Sequence, residues 1–147
     1  MGISMEQQRK QGTPRGLLHS ELTDRILGAF YAVHTALGGG FLESVYREAL
    51  SRELTWRGLA SSAHVGCAVH YRGEVVGQFC ADIIVERRVV LELKAARAID
   101  PTHVAQLLNY LRATELQVGL LLNFGKHAEF QRLVVDRSHR QATATTP

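Results

Sequence analysis

Apolar residues recur at helical spacing from about residue 20, where Ile26, Phe30, Val33 and Leu37 fall three or four positions apart. This spacing predicts a helix from Ser20 or Thr23 to Leu37, with Thr23 as N-cap and Asp24 favouring the positive end of the helix. Gly38-Gly39-Gly40 closes it, since glycine supplies the positive φ angles that a sharp reversal needs. A second helix is predicted from about Phe41 to Arg57, with Leu42, Val45, Ala49 and Leu50 as its apolar positions and Gly58 as its stop. The period then changes to two. Val65, Cys67, Val69 and Tyr71 alternate with other residues, Arg72-Gly73 makes a tight turn, and strands follow over Val75 to Val85 and Val89 to Ala95. Ala98 to Thr114 is predicted as a helix, with Asp100 as N-cap, Pro101 at the first position, and Val104, Leu107, Leu108 and Leu111 as a buried stripe. Val118 to Phe124 is almost continuously apolar, as in a strand covered on both faces, and Phe130 to Val135 is a candidate edge strand. The order α-α-β-β-β-α-β, with a candidate last β, describes an α/β domain: a mixed sheet formed by a meander and a crossover helix feeding an interior strand.

Composition narrows the setting. The chain has 147 residues, 46% hydrophobic and 21% charged, which suits one globular domain and excludes wholesale disorder. Residues 1–16 read as a flexible leader, 17–135 as a single domain and 136–147 as a disordered basic tail. The start of the chain has no apolar signal segment, and no run approaches the ~20 apolar residues of a membrane span, so a soluble cytoplasmic protein without a membrane partner is expected. Cys67 and Cys80 exclude a disulfide scaffold, and the seven scattered histidines show no zinc-ligand spacing.

The net charge of +3 belongs to the ends, because residues 16–125 hold ten basic and eleven acidic side chains. Lysine is scarce at three against fourteen arginines, and Lys94 is the one inside the expected fold.

Lys94 lies in the stretch with the most chemistry. If Glu86-Arg87-Arg88 is a three-residue hairpin loop, Val85 faces Val89 and Asp82 falls opposite Glu92. Glu92 and Lys94 then share one face of the sheet, while Phe79, Ala81, Ile83, Val85, Leu91 and Leu93 form an apolar face read as core. Facing carboxylates repel unless something stands between them. A divalent cation such as Mg²⁺ is one solution, and a salt-bridge cluster with Lys94 between the acids is another. Glu43 and Tyr46 share a face at the start of the second helix, as do Gln106 and Tyr110 on the crossover helix.

An acid on one strand, Glu92-Leu93-Lys94 on the next and a helix bearing Gln106 and Tyr110 resemble the PD-(D/E)XK nuclease superfamily. Gly40, Glu43 and Tyr46, with Gln106 to Leu111 and Gly119 to Gly125, make the chain similar to the GxxExxY family within it, over about residues 21 to 135. The resemblance implies a restriction-endonuclease-like αβββαβ core with a mixed central sheet flanked by helices. It further implies a Mg²⁺- or Mn²⁺-dependent nuclease acting on DNA or RNA. In that scheme Asp82, Glu92 and the Leu93 backbone carbonyl hold the metal, and Lys94 positions the attacking water. Glu43 serves a second metal or its waters, and Tyr46, Gln106 and Tyr110 support the site. Arg97 and His103 are candidate phosphate contacts. Nucleases of this size often dimerise, which makes a homodimer a further expectation. The alternative is a non-catalytic module on the same fold that binds nucleic acid or a protein.

Overall fold

The computed structural model describes residues 18–136, so the expected leader and nearly all of the expected tail lie outside the described residues. The elements run α1 (Ser20–Leu37), α2 (Glu43–Trp56), β1 (Ser61–Tyr71), β2 (Glu74–Val85), β3 (Val89–Lys94), α3 (Pro101–Ala113), β4 (Val118–Phe124) and β5 (Ala128–Val134). The strands form one five-stranded sheet in the order β1-β2-β3-β4-β5. Every neighbouring pair is antiparallel except β3 and β4, which run parallel because α3 carries the chain back between them. No helix among the described residues is long and apolar enough to cross a membrane.

Helix pair and crossover helix cover opposite faces of the sheet. Ile26, Phe30, Tyr46, Leu50 and Leu54 pack with Ile83, Val85, Leu91, Leu93, Leu120 and Leu122 in the larger core. Leu107, Tyr110 and Leu111 pack with Ala81, Ile84, Val90 and Leu121 in the smaller one. All of β4 is buried, as a strand beneath two layers requires.

Three local expectations are corrected. Helix α1 starts at Ser20 behind His19 in a left-handed conformation (φ 58°), and Thr23 lies inside the first turn, where its hydroxyl donates to the Ser20 carbonyl at 3.0 Å. In α2 the inward positions are Tyr46, Leu50 and Leu54, four apart, so Val45 is rotated outward and Leu42, ahead of the first turn, is 75% exposed. Phe79 and Ala81 do not share a face with Ile83 and Val85, because they pack in the α3 core while the latter pack in the α1/α2 core. Strand alternation breaks at Asp82. Across the ladder from it, between the pairs Ala63↔Ile83 and Val65↔Ala81, His64 takes a left-handed φ of 54°.

Behind the ends of β3 and β4, three connecting segments are tied together. Asn123, fully buried in an apolar strand, accepts from the Ala96 N–H at 2.9 Å and donates to the Ala96 carbonyl at 3.0 Å. His34 of α1 bonds the Gly125 carbonyl at 2.8 Å. A Cβ at Gly39 would sit 2.8 Å from the Gly125 oxygen, and one at Gly125 would sit 2.7 Å from the Ala96 oxygen, so both glycines are required by close backbone approach. Tyr46 completes the tie from α2: its hydroxyl donates to the Gly38 carbonyl at 2.6 Å and accepts from Phe41 N–H at 3.2 Å, while its ring stacks on Phe124.

Replacing Asn123 with Ala strands both Ala96 backbone groups. Asn123→Ala is expected to lower the unfolding free energy by about 2–4 kcal/mol in urea titrations. A change below about 0.5 kcal/mol would show that the tie contributes little.

Candidate active site

The hairpin register carries the site. Arg88 N–H closes the turn on the Val85 carbonyl at 2.9 Å, with Glu86 and Arg87 at positive φ, so the loop spans Glu86 to Arg88. Val85 then pairs with Val89, Ile84 with Val90 and Ile83 with Leu91. There the ladder stops, one step before Asp82 and Glu92 would face each other.

Side chains take over where the backbones part. The Leu93 N–H donates to Asp82 Oδ2 at 2.7 Å, and the Asp82 N–H donates to Glu92 Oε1 at 3.2 Å. The second Asp82 oxygen accepts from Nε of Arg47, on α2, also at 3.2 Å. Arg47 belongs to no sequence motif of its own. It lies four residues after Glu43, so any face of α2 that turns Glu43 toward the sheet also turns Arg47 there. Asp82 is thus paired with a cation from the helix, and among the described residues no ion pair within 4.0 Å joins Lys94 to either acid.

Glu92 is the strained member. Its pKa is pushed from 4.5 up to about 7, first by burial and then by the charge of Asp82. The hydrogen bond from Asp82 N–H and the charge of Lys94 pull it down, and Glu43 pushes it up again. Lys94 and Glu43 therefore both act on Glu92 through their fields.

The remaining candidates divide. Tyr110 is 3% exposed, donates to the Val65 carbonyl at 3.2 Å and meets Phe79 edge to face, so it joins α3 to β1. Gln106 is exposed on α3 and lines, with Tyr110 and Glu92, a cleft of about 620 Å³ between α3 and the β1–β2 hairpin. Tyr46 lies in the tie described above, with both ends of its hydroxyl bonded to the glycine turn. His103 closes a capping box with Asp100, and Arg97 lines a second cleft of about 440 Å³ beyond the ends of β3 and β4, with Lys126 and His127.

Whether this donor set suits a metal turns on its oxygens. Among the described residues no three His, Cys, Asp or Glu side chains gather closely enough to cage an ion. Magnesium and manganese do not need such a cage, since Mg²⁺ is commonly held by one or two carboxylates and keeps several waters. Asp82 and Glu92 are hard oxygen donors, and each carboxylate oxygen keeps a lone pair beyond the bonds described. A half-buried, repelled Glu92 is the kind of group a cation would relieve. The residues fit.

Comparison with known proteins follows the same line. Residues 20–133 match the model of the PD-(D/E)XK nuclease superfamily. No curated protein matches. The solved structure of SSO0001 superposes with a TM-score of 0.52 at 20% identity, covering 69% of this chain and 56% of that one, so the chain spans little more than half of that protein. A likeness at this identity shows the fold, an α/β restriction-endonuclease-like sheet flanked by helices. An alkaline exonuclease from Laribacter hongkongensis aligns over 98% of this chain and 82% of its own, with 12% identity and a TM-score of 0.40, too low to carry an argument.

An acid whose folded pKa lies above its ordinary value binds more protons folded than unfolded. The contribution of Glu92 to stability therefore falls as pH rises from 4.5 to about 7 and is fully adverse above that. Glu92→Gln keeps an acceptor for Asp82 N–H and removes the charge. In EDTA it is expected to stabilise the protein by up to about 3 kcal/mol at pH 8 and by little at pH 5, read by urea denaturation. An equal effect at both pH values would contradict the raised pKa.

Proposed function

The chain belongs to the PD-(D/E)XK nuclease superfamily, and from that premise we propose that it is a metal-dependent nuclease hydrolysing phosphodiester bonds of DNA or RNA at Asp82, Glu92 and Lys94. One observation carries the reading: β2 leaves β3 at the point where two carboxylates meet, and the cost falls on Glu92. A fold under no functional demand loses such a repelled acid readily, because a glutamine there relieves it. The spacing of Gly40, Glu43 and Tyr46 supports membership of the GxxExxY group within the superfamily.

Asp82 and Glu92 would hold Mg²⁺ or Mn²⁺, with the Leu93 carbonyl as a further oxygen. When bound, the ion supplies Lewis-acid polarisation of the phosphate and activation of water. Arg47 and the Leu93 N–H fix the orientation of Asp82, so this carboxylate is preorganised by bonds that exist before any ligand arrives. Lys94, not tied to either acid, is available to orient the attacking water and to oppose the charge that develops on the phosphate oxygens. Glu43 acts on the same region through its field, or through an intervening water. Gln106, exposed at the rim, is placed to touch substrate, while Tyr46 and Tyr110 hold the two helices that frame the site. A homodimer would set two such sites on two strands.

The test is cleavage of plasmid, single-stranded DNA and RNA with Mg²⁺ or Mn²⁺. Lys94→Ala is expected to lower the rate by about 10²-fold or more with its melting temperature unchanged. Equal background rates for wild type and Lys94→Ala on all three substrates would overturn the proposal.

A further inference from the structure

The cleft between α3 and the β1–β2 hairpin has a structural origin that links it to Glu92. The β2–β3 ladder has only three pairs, whereas β1 and β2 pair along nearly their whole length. Beyond Asp82 the hairpin is therefore a two-stranded ribbon that overhangs α3 instead of continuing the sheet. The space left between them is about 620 Å³, within the roughly 300–1,000 Å³ range of small-molecule sites.

Its walls are of two kinds. Val69 and Phe79 on the ribbon offer apolar surface, and Phe79 meets the Tyr110 ring edge to face at 5.1 Å. On α3, Gln106, Asn109, Tyr110 and Ala113 lie at i, i+3, i+4 and i+7, one stripe of the helix. Gln106, Asn109 and Ala113 are exposed, so the stripe forms an open rim with two amides beside the buried Tyr110, and Glu92 lines the same space. A planar, largely apolar group with hydrogen-bonding edges matches such walls: the ring meets Val69 and the half-buried Phe79, and the edges meet the amides.

We propose that this cleft receives one unstacked nucleobase of the strand whose phosphodiester lies at Asp82 and Glu92. The proposal rests on the nuclease reading for its consequence, namely that cleavage requires a locally unpaired strand. A stacked, paired base cannot enter a cleft roofed by the ribbon. Binding of the base itself needs no metal and no turnover.

That independence sets the experiment. Amide chemical shifts of the full chain in EDTA are followed during titration with deoxyadenosine or thymidine, and with 2-deoxyribose as the base-free control. The nucleosides are expected to shift Val69, Phe79, Asn109 and Ala113, and the sugar alone is not. Asn109→Ala is expected to weaken nucleoside binding about 2–10-fold. Ala113→Trp, which fills the cleft from an exposed helix position, is expected to abolish it, with an unchanged melting curve showing the fold intact. A second arm measures cleavage of a single-stranded oligonucleotide carrying one abasic position, where the flanking bond is expected to be cut about tenfold more slowly than with the base present. Equal shifts with sugar and nucleoside, or none at saturating millimolar nucleoside, overturn the base site whatever the cleavage results. Nucleoside binding by a wild-type protein that cuts nothing with either metal supports the base site and overturns the nuclease reading instead.

Discussion

A carboxylate stands where a backbone carbonyl would continue a β-ladder. Leu93 N–H would ordinarily find its acceptor on the neighbouring strand, but β2 turns away after Ile83, and Asp82 Oδ2 receives the bond at 2.7 Å. The exchange runs both ways, since Asp82 N–H is satisfied by the Glu92 side chain. Buried backbone donors must be paired, so the divergence needs side-chain acceptors at these two places. The proposed metal ligands, the raised pKa of Glu92 and the cleft beneath the hairpin all follow from that one parting of strands.

The cost of the arrangement is spread over the rest of the fold. Asp82 is balanced by Arg47, delivered by a helix whose own position depends on Tyr46 and the glycine turn. Among the described residues Glu92 has no ion-pair partner, and it carries its penalty as a raised pKa. The tie through Asn123, His34, Gly39 and Gly125 then fixes the ends of β3 and β4, so Lys94 lies in a stretch of chain held from both sides. Rigid support of this kind is what a preorganised site requires.

Much of this was legible in the sequence because it depends on period and turn chemistry. Three charged residues between two apolar runs mark the loop Glu86 to Arg88, and taking it as three residues pairs Val85 with Val89, while the cap at Asp100 follows from Asp-Pro before a helical stripe. What stayed hidden depends on tertiary context. The left-handed His64 and the break in alternation at Asp82 are backbone events with no glycine to announce them, so Phe79 and Ala81 appeared to share a face with Ile83. Arg47 was one of fourteen arginines, distinguished only by standing four residues from Glu43. Asn123 sits inside an apolar run, where its role shows only once Ala96 is seen beside it.

On the proposed mechanism the parted strands hold a divalent ion between Asp82 and Glu92. Anomalous diffraction from a crystal soaked in Mn²⁺ tests it most directly. One peak is expected within coordination distance of both carboxylates, lost in crystals of Asp82→Asn. A soaked crystal with no peak there at saturating Mn²⁺, or one with the peak unchanged in Asp82→Asn, would contradict it.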